Sequence, residues 1–368
     1  MDVALVVHDF DRNNGQGRYV IELTRRLRDR CRFTVYSNTA DPGALEGIVW
    51  EHVPAWRRRH ITAVFTFLAA VEARLIGRHH NLIHAQGLSS WRADVATVHM
   101  INAARVRRLS PARRRDRLFS QIVTPFERAF YRRRRLRHAI VMARTLGREL
   151  QEEYGWDRAL SVIPHGTDAE QFRPPTDAAE RAELRDRFRV PQDRWAWLFV
   201  GEAVKGLGQV IQQLPAFPQA HLLVVSRSQL APFQEQARRL GVNARVTFHG
   251  FEPRPELAYR AADAFIYPSA YDPFGMVATE AMASGLPVVV GCETGAAELV
   301  TEGIDGLLCD PAQPASLPAQ LARLAADPAG ADRLGQAARA TIRRHSWEAC
   351  AEATLAVYRK VVETPRLS

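Results

Sequence analysis

The architecture of this chain turns on Pro268-Ser-Ala-Tyr-Asp-Pro-Phe-Gly-Met-Val-Ala-Thr-Glu-Ala-Met-Ala-Ser-Gly-Leu-Pro-Val-Val-Val-Gly291. An apolar run, Ala264-Phe-Ile-Tyr-Pro268, leads into it and suggests a buried parallel strand. The spacing then predicts a loop and a helix from about Gly275 to Ser284. Gly285 and Pro287 stop that helix before a second buried strand at Pro287–Val290. Two acids, Asp272 in the loop and Glu280 about a turn and a half into the helix, can face one crevice. The amides of Gly275, Met276 and Val277 fall at the helix N-terminus, where an anion is favoured. Amides suited to phosphate beside carboxylates suited to hydroxyls describe a pocket for a sugar nucleotide. The plainer alternative is a strand-linking helix with surface acids.

Working outward, 368 residues, 46% of them hydrophobic, suffice for two domains with sizeable cores and exclude a disordered chain. No stretch reaches the roughly 18–20 apolar residues that a membrane-spanning helix needs. Met1-Asp-Val-Ala-Leu-Val-Val7 lacks a basic segment and a cleavage site, so it reads as a first strand and not a signal peptide. Cys31, Cys292, Cys309 and Cys350 have neither metal-ligand nor disulfide spacing, which fits a reducing cytoplasm. The net charge of +10 is unevenly placed: Arg105 to Arg148 hold 15 Arg against Asp116 and Glu127, a local excess of +13. Such a block attracts polyanions or an anionic membrane surface. The use of 48 Arg and only two Lys, Lys205 and Lys360, looks like codon bias, which explains the choice of Arg but not its clustering.

Strands are expected at Val3–Val7, Phe33–Tyr36, Ile48–Val53, Leu82–His84, Val95–His99 and Ala139–Met142, with helices near Gly17–Arg30, Ile61–Ile76 and Phe119–Arg137. The alternation implies an α/β fold, a parallel sheet with helices on both faces. Proline and glycine around Pro164-His-Gly-Thr-Asp-Ala-Glu-Gln-Phe-Arg-Pro-Pro175 mark a linker. A second alternation follows, with strands at Trp197–Val200, His221–Val225, Arg245–His249, Ala264–Tyr267 and Pro287–Val290, and the chain reads as helical after Pro311. Ligands of open α/β sheets sit beyond the C-terminal strand ends, so two such domains facing one another would enclose the chemistry in a cleft.

Other candidate residues stand at strand ends. Gly15 and Gly17, in His8-Asp-Phe-Asp-Arg-Asn-Asn-Gly-Gln-Gly-Arg18, permit close approach of backbone to a phosphate or sugar. The turn is not a full G-x-G-x-x-G, and a plain strand-to-helix turn is the alternative. Lys205, in Leu198-Phe-Val-Gly-Glu-Ala-Val-Lys-Gly-Leu207, places an ammonium beside a diphosphate at a helix start; the alternative is a solvated lysine. His99 and His84 each close a strand that points toward the expected cleft, although lone strand-end histidines are more often structural.

Together these residues resemble the retaining glycosyltransferases of family 4, whose GT-B architecture has two facing Rossmann-like domains with a cleft between them. The resemblance spans nearly the whole chain and is strongest at Asp272-Pro-Phe-Gly-Met-Val-Ala-Thr-Glu280, two acids separated by seven residues. It continues through Ala281–Val289, Gly295-Ala-Ala-Glu298 and Gly306-Leu-Leu308, and includes the Gly15/Gly17 loop, His99, Val162–Asp168 with Phe172-Arg-Pro174, and Val200-Gly201 with Lys205-Gly206. The resemblance implies an acceptor-side domain at 1–167, a nucleotide-sugar domain at 168–345, and a C-terminal helix at 346–368 packing back on the first domain. By it, Glu280 holds the ribose hydroxyls and Asp272 the donor sugar, with His99 against that sugar near the reacting carbon. Lys205 stabilises the departing diphosphate, and amides at Gly15–Gly17 and at Phe274, Gly275, Met276 and Val277 surround sugar and diphosphate. No metal and no cofactor is implied, only a donor such as a UDP- or GDP-sugar.

Three positions depart from the family pattern. Asp272 stands in place of the usual Glu, His165 in place of a frequent Asn, and Glu202 follows Gly201 where an Arg is common. Arg227, after the next strand, is a candidate to supply that missing charge.

The basic segments Trp56–His80 and Arg132-Arg-Arg-Arg-Leu-Arg137 suit contact with anionic lipid by an enzyme acting on a lipid-linked acceptor. An ordinary sheet-packed helix with solvated arginines is the alternative. The few aromatics between the arginines give no support to nucleic-acid binding. The expected protein is thus a cytoplasmic retaining glycosyltransferase, peripheral to the inner face of the membrane if it meets lipid there. Its donor is a nucleotide sugar and its acceptor a cell-envelope lipid or oligosaccharide. The rivals are a nucleotide-sugar epimerase or hydrolase on the same fold, and a non-catalytic polyanion- or membrane-binding relative.

Overall fold

The computed structural model describes residues 1–12, 14–58, 60–108 and 114–364. Asn13 of the first turn lies outside the described residues, as do Arg59, Arg113 and the side chains of Arg114, Arg115 and Asp116 in the basic segments. The chain divides into two compact units, Met1–Gly166 with the segment from Trp347, and Thr167–Ser346.

The strands of the first unit are β1 (Asp2–Val6), β2 (Asp9–Phe10), β3 (Arg32–Ser37), β4 (Thr39–Ala40), β5 (Val49–His52), β6 (Leu82–Gln86), β7 (Val95–Val98), β8 (His138–Val141) and β9 (Ala159–Val162). Seven of them form a parallel sheet in the order β5-β3-β1-β6-β7-β8-β9, and β2 pairs with β4 separately. Helices α1 (Gly15–Leu27), α2 (His60–Arg74), α3 (Asn102–Arg108), α4 (Arg114–Tyr131) and α5 (Arg144–Tyr154) connect the strands. Val3 to Val6 are wholly buried, as a strand covered on both faces requires. Phe67, Val71 and Leu75 of the α2 segment pack with Ala4, Val6 and Tyr36, so this basic-flanked helix has its inner face on the sheet.

The second unit contains β10 (Trp195–Val200), β11 (Ala220–Val225), β12 (Val246–His249), β13 (Ala264–Tyr267), β14 (Val288–Gly291) and β15 (Leu307–Cys309). They form one parallel sheet in the order β12-β11-β10-β13-β14-β15. Its helices are α6 (Ala178–Arg187), α7 (Leu207–Gln213), α8 (Ala231–Arg239), α9 (Glu256–Ala261), α10 (Met276–Ala283), α11 (Ser316–Ala326) and α12 (Pro328–Ile342). The last helix, α13 (Trp347–Glu363), belongs to the first unit, where Glu348 meets Arg26 of α1 at 2.6 Å and Tyr358 bonds His84.

Two sequence expectations need correction. The helix expected at Phe119–Arg137 ends at Tyr131, and Arg132–Arg137 form a turn instead. Much of that run is engaged internally: Arg132 donates to the Tyr154 carbonyl (3.1 Å), Arg135 to the Arg92 carbonyl (2.6 Å), and Arg133 lies over the Trp91 ring. Arg137 is within 3.5 Å of Asp94. The expected linker Pro164–Pro175 does contain the boundary between the two units, after Gly166, and within it His165 and Thr167 are buried and Phe172 joins the core of the second unit. Four strands were not expected: β2 and β4, two residues each, the three-residue β15, and β9, a half-exposed edge strand.

Candidate active site

In the second sheet, β10 and β13 are adjacent while the strands that follow each run outward in opposite directions. This is a topological switch point, the place where open α/β sheets bind ligands beyond their C-terminal strand ends. After β10 the chain turns through Gly201 (φ 123°) and a short 3-10 turn to Gly206 (φ 107°). A side chain at Gly206 would stand 2.7 Å from the Pro268 carbonyl, so glycine lets this turn rest on the loop after β13. Lys205 and Asp272, 67 residues apart in sequence, are thereby brought together with Nζ 2.7 Å from Oδ2.

Asp272 is 8% exposed and has two further donors. The Tyr267 hydroxyl donates to Oδ2 (2.8 Å) and the Phe274 N–H to Oδ1 (3.2 Å). Burial and the neighbouring carboxylate push the Tyr267 hydroxyl far above its ordinary pKa, so it stays protonated and donating. The loop is braced from the other side. Gly295 N–H donates to the Asp272 carbonyl (2.9 Å), and a side chain at Gly295 would lie 2.2 Å from the Pro273 carbonyl.

Gly275 takes the left-handed conformation (φ 83°) and caps α10, so Gly275, Met276 and Val277 form the helix start as the sequence spacing predicted. Phe274 does not add a ligand-facing amide, because its N–H is already held by Asp272. Residues 278–283 are buried all round the helix, as expected of a short core helix that is mostly apolar. Gly285 and the Leu286 N–H bonded to the Ala281 carbonyl end it. Within this helix Glu280 is only 4% exposed and accepts from the Tyr259 hydroxyl at 3.0 Å. Sequence reasoning missed Tyr259 and Tyr267. For Tyr267 the available signal was a tyrosine closing an otherwise apolar strand, whose buried hydroxyl must find an acceptor; Tyr259, inside the mixed helix Glu256–Ala261, carried none.

Glu202 is exposed beside Lys205 and makes no side-chain bond to cap the turn. Arg227 lies with its guanidinium 3.8 Å from the centre of the Phe251 ring, at the end of β11. Its loop is joined to the Lys205 turn through the Ala203 N–H and the Ser228 hydroxyl (3.0 Å).

In the first unit Asn14 caps α1, and its side chain accepts from the Gly17 N–H at 2.7 Å. That amide, expected to face a ligand, thus serves the helix cap. Gly17 is needed for another reason: a side chain there would stand 2.2 Å from the Asp11 carbonyl and 2.6 Å from that of Asp9. Gly15 is the first residue of α1.

His99 follows β7, is buried, and pairs its Nε2 with Gln86 Oε1 at 2.7 Å. Tyr19 is stacked on His165 (5.0 Å) and meets His99 edge-on (5.7 Å). Burial lowers the pKa of His99 well below the ordinary value, so the ring is neutral at physiological pH. His165 likewise drops to about 3. His84 has the structural role that a lone strand-end histidine more often has: its nitrogens bond the Tyr358 hydroxyl (2.7 Å) and Thr97 Oγ1 (2.8 Å). Among the described residues no three His, Cys, Asp or Glu side chains gather as metal ligands do.

Two family descriptions match this chain, Glycosyltransferase Family 4 over residues 13–171 and Glycosyl transferases group 1 over residues 180–341. A D-inositol 3-phosphate glycosyltransferase of Xylanimonas cellulosilytica is 31% identical over 94% of this chain and 91% of that protein. The chain belongs to glycosyltransferase family 4. As a family 4 glycosyltransferase it shares its fold with sucrose-phosphate synthase from Thermosynechococcus elongatus (TM-score 0.82, 23% identity, 98% and 99% of the two chains). Anabaena HepE, solved in complex with UDP-glucose, is similar too (TM-score 0.78, 22% identity, 98% and 100% of the two chains).

Proposed function

We propose that this glycosyltransferase transfers a hexosyl group, with retention, from a UDP- or GDP-sugar to a cell-envelope lipid or oligosaccharide. The observation that carries the donor half is the meeting of Lys205, Asp272 and the α10 start at the switch point, with Glu280 a turn beyond. Lys205 and the amides of Gly275, Met276 and Val277 take the diphosphate, Glu280 the ribose and Asp272 the sugar. HepE holding UDP-glucose on the same fold supports this kind of donor. As the sugar leaves, negative charge grows on the diphosphate, and a fixed ammonium and helix N-terminus stabilise it. The leaving phosphate takes the acceptor's proton on the same face. His99, neutral, is assigned contact with the sugar and not proton transfer. The charge is assigned to side chains and helix amides, not to a metal.

For the acceptor, the observation is an apolar stripe on α4. Leu118, Ile122 and Phe126 are exposed at four-residue spacing on one helix face, Phe126 packs on Phe65 of α2 (4.6 Å), and exposed Arg117 and Arg128 lie on the same helix. Apolar groups beside cations suit an anionic lipid surface, and so a lipid-linked acceptor. The inositol phosphate acceptor named for the Xylanimonas relative is the competing class. Incubation with UDP- and GDP-sugars and an envelope lipid extract, read by mass spectrometry, should yield a new glycoside. Free sugar or an epimer as the sole product overturns the proposal, and transfer confined to inositol phosphate overturns its acceptor half.

A further inference from the structure

Lys205 and Asp272 are assigned separate tasks in donor binding, yet in the structure they hold one another at 2.7 Å. A nucleotide sugar must therefore exchange partners with this pair. Its diphosphate takes the ammonium, and its sugar hydroxyls take the carboxylate. A carboxylate this deeply buried loses its cation only at a cost, unless other donors keep it satisfied. Two remain, the Tyr267 hydroxyl at 2.8 Å and the Phe274 N–H at 3.2 Å. Of these the hydroxyl shares Oδ2 with Lys205, so it stands on the oxygen that the cation would leave. The Tyr267 ring packs on Phe199 (5.7 Å) and Phe265 (5.8 Å), and a side chain at Gly201 would lie 3.8 Å from its hydroxyl.

We propose that Tyr267 is a positioning residue for the donor, whose hydroxyl holds the Asp272 carboxylate while Lys205 passes from it to the diphosphate. This rests on the donor-site reading above. The test titrates UDP and GDP calorimetrically into the full chain and its variants. Asp272→Asn removes the competing charge, and the nucleoside diphosphate should bind about tenfold tighter than to wild type while transfer falls. Tyr267→Phe, which keeps the ring, should weaken it about tenfold. In the Asp272→Asn background the same Tyr267→Phe change should alter affinity by less than about twofold, because no carboxylate is left to hold. A hydroxyl with a merely structural role would weaken binding equally in both backgrounds. Equal losses, an unaffected Tyr267→Phe, or an Asp272→Asn that binds no tighter each overturn the inference.

Should Tyr267→Phe fail to fold, Lys205→Met replaces it. Asp272→Asn should then give no tightening in the Lys205→Met background, and tightening there overturns the exchange. Wild type that binds neither UDP, GDP nor their glucose conjugates refutes the donor reading and this inference with it. Wild type that binds, with variants that do not differ as stated, refutes the inference alone.

Discussion

Replacing Glu127 by Gln should stabilise the first unit increasingly as pH rises. The carboxyl is buried on α4, where it accepts from the Asn102 side-chain amide (2.6 Å) and backbone N–H (3.3 Å) of α3 and from the Tyr154 hydroxyl of α5. Tyr131, on its own helix, stacks on Tyr154 at 5.6 Å. Arg108, the nearby cation on α3, pairs instead with Glu149 of α5 at 2.8 Å. The three donors favour the ionised form, but removal from water outweighs them and raises the carboxyl from 4.5 to about 7.

The fold therefore binds this proton more tightly than the unfolded chain does. Its stabilisation is complete below about pH 4.5 and is lost as pH rises through about 7. At about 1.4 kcal/mol per pKa unit the shift corresponds to about 3 kcal/mol. Gln keeps the shape and stays neutral, so variant and wild type should be alike at pH 5 and separate by about 2–3 kcal/mol above pH 8. Urea unfolding at matched pH gives the difference directly. Buried His84 and His165, both lowered to about 3, act oppositely, costing stability as pH falls below about 6.5, and they cancel in the comparison. Parallel stability curves, or a gap that closes as pH rises, would refute the reasoning.

Glu280→Ala should weaken donor binding by roughly 1.5–3 kcal/mol, the worth of hydrogen bonds to a charged acceptor. The fold should survive, since the Tyr259 hydroxyl also lies 3.2 Å from the Val277 carbonyl; unchanged calorimetric affinity contradicts the ribose assignment. Lys205→Ala should slow transfer far more than it lowers the unfolding temperature, and a wild-type rate rules out its role with the leaving group. Gly17→Ala should cost roughly 1–3 kcal/mol or more through its clash with the Asp11 and Asp9 carbonyls, and a chemical denaturation curve matching wild type would show that the α1 turn tolerates a side chain. Co-sedimentation with anionic vesicles should fall with added salt and with Phe126→Ser, while absence of binding at low salt removes the membrane arm of the proposal.

Much of the fold is legible in local pattern. Buried strands such as Ala264–Tyr267 read as continuous apolar runs because helices cover both sheet faces, and Gly285 with Pro287 punctuates the end of α10. The paired acids and the helix start between them lie within one short segment, so spacing alone was enough to single them out. The half-exposed edge strand β9 and the three-residue β15, by contrast, carried too weak a pattern, and the arginine run of 132–137 read as surface charge until its carbonyl and ring partners were visible.

Sequence alone thus determined the alternating α/β plan, its family, and a candidate donor loop, since each depends on periodicity or on residues a few positions apart. Tertiary structure decided which charges meet. The reversal of strand order between β10 and β13 sets Lys205 against Asp272 across 67 residues, and strand-end Tyr267 completes the group. Such a meeting depends on which strands are neighbours, which local pattern does not encode. It turned two residues read as independent ligand contacts into a single ion pair.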